Sequence, residues 1–239
     1  MTRTALVTGA SRGIGRAVVD RLLADGVRVC GLYRTEGEAA GLLAKELEAA
    51  SPKGLALACD VSSPARVRDA VGRCAEEFGG IDILVNNAGV APFSLLENLE
   101  PEQWEATFAT NVTGPYLVTR AALPHLRPGG SVVTITSGLG ITGAPGKTHY
   151  AASKAALIGF TKALSREIGR RDVRVNAIAP GIIETEMSAP NAELRARYEG
   201  QCALGRIGQP SELAEVVAFL ADHRSSYVNG QTLMVDGGM

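Results

Sequence analysis

An α/β fold, with a parallel sheet covered by helices on both faces, is what this sequence predicts, on two observations. Short runs of apolar and β-branched residues alternate with longer amphipathic stretches along almost the whole chain. The short runs are mostly continuous rather than alternating, as expected for strands buried on both sides. Strands separated by helices imply right-handed crossovers, hence a doubly wound parallel seven-stranded sheet. The strands are expected at 4–8, 27–32, 55–59, 83–85, 131–136, 174–178 and 232–235. In the first helix Ile14, Val18 and Leu22 recur every four residues beside Val19 and Leu23, and Gly26 is placed to stop it. Further helical patterns cover 36–50, 64–78, 101 to about 125, 150 to about 168, and 210–220. No repeat or Pro/Ser-rich linker interrupts the rhythm, so residues 1–239 read as a single domain. Segment 188–208 departs from it. It follows the sixth strand, holds a short helical piece at 192–198, and is expected to be a lid over substrate.

Composition narrows the function. The 239 residues are 46% hydrophobic and 21% charged, with 24 basic and 25 acidic side chains and a net charge of −1. That balance argues against a nucleic-acid binder, and 5% aromatics argue against a stacking platform. No run of 18 apolar residues is present, so no membrane span is expected, and the N-terminus does not read as a secretory signal. Cys30, Cys59, Cys74 and Cys202 lack CxxC spacing and the three histidines are dispersed, so no metal site is expected. The cysteines read as reduced thiols of a cytoplasmic protein.

Directly after the first strand comes Thr8-Gly9-Ala10-Ser11-Arg12-Gly13-Ile14-Gly15, opening a helix. Glycines there allow positive φ, close approach to a pyrophosphate, and tight helix–strand packing, while the helix N-terminus offers free N–H groups. This position makes the fold Rossmann-type and the ligand a dinucleotide. The second strand ends Gly31-Leu32-Tyr33-Arg34, with no acid until Glu36, so the acidic ribose partner of NAD binders is missing. Arg12 and Arg34 suit a 2′-phosphate instead, which predicts NADP(H). Gly146-Lys147-Thr148 imitates the end of a P-loop, but Ile141 stands where that motif needs glycine.

Tyr150 and Lys154 lie one helical turn apart on one face. Ser137 closes the fifth strand, Asn86-Asn87-Ala88-Gly89 the fourth, and Asp60-Val61 the third, all at the carboxyl edge. With the 180–187 segment PGIIETEM and the C-terminal VDGG, these motifs resemble the short-chain dehydrogenase/reductase family over essentially the whole chain. The similarity is to bacterial 3-oxoacyl-(acyl-carrier-protein) reductases. The resemblance implies that Ser137 binds the substrate carbonyl and Tyr150 donates the proton. Lys154 would hold the nicotinamide ribose and favour the phenolate. Asn111 would distort its helix around a water that continues the proton relay. It also implies a cofactor pocket of Gly9, Ser11, Arg12, Gly13, Ile14, Gly15, Arg34, Asp60, Val61, Asn87, Ala88, Gly89, Tyr150, Lys154, Pro180, Gly181, Ile183 and Thr185. In that pocket Asp60 and Val61 flank the adenine, and Pro180, Gly181, Ile183 and Thr185 cap the nicotinamide, with the carboxamide held by backbone and the Thr185 hydroxyl.

Bringing a tyrosine from about 10 to near neutrality takes roughly 4 kcal/mol, and one cation at ~4 Å supplies about that much at an effective dielectric of 20. Lys154 is therefore expected to do most of the activation. His149, some 100° round the helix from Tyr150, is expected to point away from substrate, and His125 and His223 read as surface residues. Phe93, Leu139, Ile141 and Met187 are the expected substrate-facing side chains. The resemblance makes a β-ketoacyl thioester the leading substrate, with a free alcohol, sugar, polyketide or cyclic ketone as alternatives. It also implies a homotetramer and an acyl carrier protein docking on basic residues. Arg166, Arg170, Arg171 and Arg174 supply a cluster, while Ser131 replaces a second basic position, with Arg127 nearby.

Overall fold

A computed structural model describes residues 2–186, 188 and 191–239. The strands are β1 (Thr4–Thr8), β2 (Arg28–Tyr33), β3 (Leu55–Ala58), β4 (Ile81–Asn86), β5 (Leu126–Ile135), β6 (Arg174–Pro180) and β7 (Thr232–Val235). They form one sheet in the order β3-β2-β1-β4-β5-β6-β7, and every pairing is parallel. The order reverses between β1 and β4, where a crevice opens at the carboxyl ends of the strands. The helices are α1 (Gly13–Ala24), α2 (Glu38–Ala49), α3 (Pro64–Phe78), α4 (Pro101–Phe108), α5 (Gly114–Ala122), α6 (Leu139–Thr142), α7 (Thr148–Ile168), α8 (Ala192–Gln201) and α9 (Pro210–Ala221).

Continuous apolar strands follow from two cores. Ala5, Val7, Ile83, Val85 and Val133 pack with Val18 and Leu22 of α1, Leu43 and Leu47 of α2, and Leu213 and Val217 of α9. The residues between them, Leu6, Leu84 and Val132, point to the other face and meet Val67 and Val71 of α3, Val118 of α5, and Leu164 of α7. Successive strand residues thus serve opposite faces, and both must be apolar. The four cysteines are buried free thiols. Among the described residues no helix is long and apolar enough to cross a membrane.

Two elements depart from the sequence reading. β5 begins at Leu126, not 131, although Pro128-Gly129-Gly130 reads as a turn. Arg127 pairs with Asp82 of β4 at 2.8 Å and the Gly129 N–H donates to the Asp172 carbonyl at 2.7 Å, which holds this irregular stretch in the sheet. The helix expected from 101 to about 125 is broken by a π-turn, Ala109–Thr113, and ends in a 3₁₀ turn, Leu123–His125. Asn111 sits in the π-turn with no exposed surface.

Candidate active site

The crevice begins at the turn after β1. Gly9 and Gly13 have φ of 64° and 57°, which non-glycine residues rarely adopt. A Cβ on Gly15 would fall well inside contact distance of the Gly9 carbonyl and the Asn87 side chain, so α1 reaches the strand only because residue 15 is glycine. Thr8 is a hub the sequence reading missed. Its hydroxyl accepts from the N–H groups of Asn87 and Ala88 at 2.9 and 3.0 Å, tying the ends of β1 and β4 together. The Asn87 amide donates to the carbonyls of Thr8 and Gly9 at 3.0 and 3.1 Å. Its signal in the sequence was the hydroxyl residue ending the first strand directly before Gly9. The resulting cradle of bare backbone at the N-terminus of α1 fits a pyrophosphate.

Around it, Asp60 accepts from the Ser62 N–H and hydroxyl at 2.9 and 2.7 Å, and these bonds, with a smaller contribution from Arg34, hold its carboxyl below the usual range. Val61 is buried beside Gly114 rather than open to the crevice, so its side chain packs on α5. Arg12 and Arg34 are both exposed. Across the crevice Thr185 lies over Gly13 and is bonded to the Ser188 hydroxyl at 3.0 Å. The Ile183 side chain joins the core and its backbone bridges to Gly208, which leaves its main chain for the crevice. A Cβ on Gly181 would meet the Asp236 backbone at 2.7 Å, so the C-terminal VDGG segment closes against the 180–185 strand exit.

Tyr150 and Lys154 face the crevice from α7. The Lys154 ammonium is buried, donates to the Ile135 carbonyl at 2.9 Å, and stands 5.8 Å from the centre of the Tyr150 ring. Burial pulls Lys154 down to about 8. Burial also pushes the Tyr150 phenol above its ordinary value, while the Ser137 hydroxyl pulls it back. Desolvation by the same burial works against the charged forms of both residues. Ser137, at the end of β5, accepts from the Leu139 N–H at 3.2 Å. Asn111 clamps the backbone of Val90, accepting from its N–H at 2.8 Å and donating to its carbonyl at 2.9 Å. It also donates to the Ser153 hydroxyl at 3.0 Å, which in turn donates to the Tyr150 carbonyl at 2.7 Å. A Cβ on Gly89 would touch both the Asn111 carbonyl oxygen (3.2 Å) and the Lys154 nitrogen (3.4 Å), so the three elements meet at one point.

Lys147 was set aside with the false P-loop, yet it lies at this site. Its ammonium donates to the carbonyls of Ala91 and Pro92 at 2.7 and 3.0 Å and stands 5.9 Å from the rings of Phe93 and Tyr150. It staples the loop after β4 to the start of α7. Its position one turn before Tyr150 was the available signal. His149 is fully buried with neither ring nitrogen hydrogen-bonded, and burial lowers its pKa. Among the described residues no cluster of metal-ligating side chains occurs.

The enoyl-(acyl carrier protein) reductase family model matches residues 9–239. Over 240 residues, 99% of this chain and 97% of the relative, the sequence is 41% identical to the 3-oxoacyl-[acyl-carrier-protein] reductase FabG of Escherichia coli (strain K12). The FabG of Staphylococcus aureus (strain Mu50) is 37% identical over 242 residues, covering 100% of this chain and 98% of the relative. The chain belongs to the short-chain dehydrogenase/reductase family. Among solved members, a short-chain dehydrogenase from Burkholderia cenocepacia J2315 in complex with NADP superposes with a TM-score of 0.94 at 39% identity, covering 99% of this chain and 97% of that one. A blue fluorescent protein from a metagenomic library in complex with NADPH gives 0.95 at 38% identity, with the same coverage.

The other expectations for this short-chain dehydrogenase/reductase divide on contact with solvent. Of the expected substrate-facing side chains, Phe93 and Ile141 are exposed, Leu139 is half-buried, and Met187 lies outside the described residues. In the basic cluster, Arg166 and Arg170 are exposed. Arg171 is exposed and donates to the Leu123 carbonyl at 2.6 Å. Arg174 does not belong with them, because it is spent on the carbonyls of Leu220 and Asp222 and the Ser225 hydroxyl. Arg127 is likewise held by Asp82, and Ser131 is fully buried, bonded to the Leu220 carbonyl at 2.8 Å. His223 is exposed but pairs with Asp222 at 3.1 Å.

Proposed function

We propose that the protein reduces a ketone to a secondary alcohol with NADPH, and that the ketone is the 3-oxo group of a β-ketoacyl thioester. The observation that carries this reading is the convergence of the Ser137 and Tyr150 hydroxyls with the buried Lys154 ammonium at the carboxyl edge of the sheet. Bound NADPH supplies the hydride. Gly9, Ser11, Gly13, Ile14 and Gly15 hold the pyrophosphate, and Arg12 and Arg34 the 2′-phosphate. Asp60 and the backbone of Val61 flank the adenine, while Asn87, Ala88 and Gly89 line the adenosine side. Pro180, Gly181, the Ile183 main chain and Thr185 hold the carboxamide.

Ser137 donates a hydrogen bond to the substrate carbonyl oxygen, and Tyr150 gives that oxygen its proton as charge develops there. Lys154 binds the ribose hydroxyls and stabilises the phenolate left behind. A phenol at its ordinary value of about 10 rests protonated near neutrality, the state a proton donor in reduction needs, and burial pushes Tyr150 further that way. Asn111 positions this machinery by clamping Val90 and Ser153, and its π-turn is where a relay water would be held. Segment 188–208 acts as the lid, and the exposed arginines 166, 170 and 171 form the docking patch for an acidic carrier. The working form is a cytoplasmic homotetramer. Support comes from the FabG relatives and from the solved members bound to NADP and NADPH.

The test follows absorbance at 340 nm with acetoacetyl thioester, a free cyclic ketone and crotonyl thioester, each with NADPH and NADH. Turnover of the acetoacetyl thioester with NADPH well above NADH is expected. Turnover of the free ketone alone replaces the thioester by a small carbonyl compound, and turnover of the crotonyl thioester alone replaces ketone reduction by alkene reduction.

A further inference from the structure

Among the described residues, the two walls of the crevice meet at a charged contact. Arg12 Nη1, on the turn after β1, lies 3.4 Å from Glu186 Oε2, on the segment after β6, with side chains 67% and 76% exposed. Next to it, Thr185 rests on Gly13, so the backbone already brings these two segments together. Arg34, the other cation assigned to the 2′-phosphate, makes no ion pair among the described residues. One of the two phosphate-binding cations is thus contested and the other open.

We infer that Glu186 is a specificity-determining residue for the cofactor, competing with the 2′-phosphate for Arg12 and weakening NADPH binding while leaving NADH untouched. The inference rests on the NADPH reading above. A guanidinium offers a planar fork that suits one carboxylate or one phosphate at a time. When the phosphate takes the fork, the displaced carboxylate stays within reach of it, and like charges repel. NADH carries no 2′-phosphate and enters without disturbing the pair. An exposed ion pair is weak, so the competition tunes affinity rather than blocking binding.

The experiment measures dissociation constants by cofactor fluorescence, for NADPH and NADH, on the full-length protein and its Glu186→Gln, Arg12→Gln and doubly substituted forms. Glu186→Gln is expected to tighten NADPH about two- to fivefold, the range of an exposed pair, and to leave NADH unchanged. The gain should disappear in the Arg12→Gln background, as required for residues acting through one contact. It should also fade near 1 M salt, where screening acts within about 3 Å. NADPH affinity that is unchanged or weaker in Glu186→Gln overturns the inference, as does equal tightening of both cofactors or a gain that survives Arg12→Gln. In those cases a wild-type preference for NADPH leaves the cofactor reading standing. If the wild type binds NADH as tightly as NADPH and Arg12→Gln weakens neither, the 2′-phosphate assignment falls and the inference falls with it.

Discussion

The two walls of the crevice are built by different physics. On the β1–β4 side, backbone meets backbone: α1 closes on Gly9 through Gly15, and Thr8 and Asn87 lock two strand ends with buried hydrogen bonds. On the β6 side, α8 has no buried residue and is tied down by exposed charges. Arg195 pairs with Glu184, and the Gln209 amide donates to the same carboxylate at 2.8 Å. Close packing tolerates almost no change, whereas exposed ion pairs contribute little and can be exchanged freely. The β1–β4 wall is therefore rigid, and the β6 wall is adjustable.

The sharpest way to probe that contrast is at the residue between the walls. Tyr150→Phe should lower kcat by about 10³-fold, within the range for a lost general acid, with NADPH affinity intact by fluorescence titration. Retained activity would remove Tyr150 from the chemistry. Gly15→Ala comes next. Its methyl group has no room beside the Gly9 carbonyl, so denaturant unfolding should show a loss of about 3 kcal/mol, the upper range for overpacking. A neutral result would mean that the rigid wall can yield.

A smaller effect separates Lys154 from its surroundings. Its folded value of about 8 lies below the unfolded value of 10.5, so between them the unfolded chain binds more protons and stability rises with pH. The wild type should gain on the order of 2 kcal/mol between pH 8 and 10 relative to Lys154→Met, read from urea midpoints. A parallel pH course in both proteins would contradict the buried-ammonium picture. Smallest of all, Glu184→Gln should leave the melting temperature unchanged and raise the substrate KM about twofold, as an exposed contact allows. A large drop in melting temperature would erase the distinction between the walls.

The positions of the seven strands, the turn at Gly9–Gly15 and the Tyr150/Lys154 pair were legible because each is a local pattern: period, glycine placement, one helical turn. The arginines were not. Arg127 and Arg174 look like Arg166 and Arg170 in sequence, and only their neighbours across space, Asp82, Leu220 and Ser225, withdraw them from the surface. Lys147 escaped notice because its partners, the carbonyls of Ala91 and Pro92, lie more than fifty residues away. Asn111 shows both sides. Family resemblance marked it, but the clamp on Val90 and Ser153 depends on where β4 and α7 come to lie.

By itself the sequence determined the element order, the two-faced sheet and the residue types at its carboxyl edge, because hydrophobic period and backbone stereochemistry act over a few residues. Only the tertiary structure decided which charges are free, which way Ile183 turns, and that burial raises the Tyr150 phenol and draws Lys154 down to about 8. Those outcomes depend on desolvation and on partners brought together from distant parts of the chain, and neither is written in any local stretch of residues.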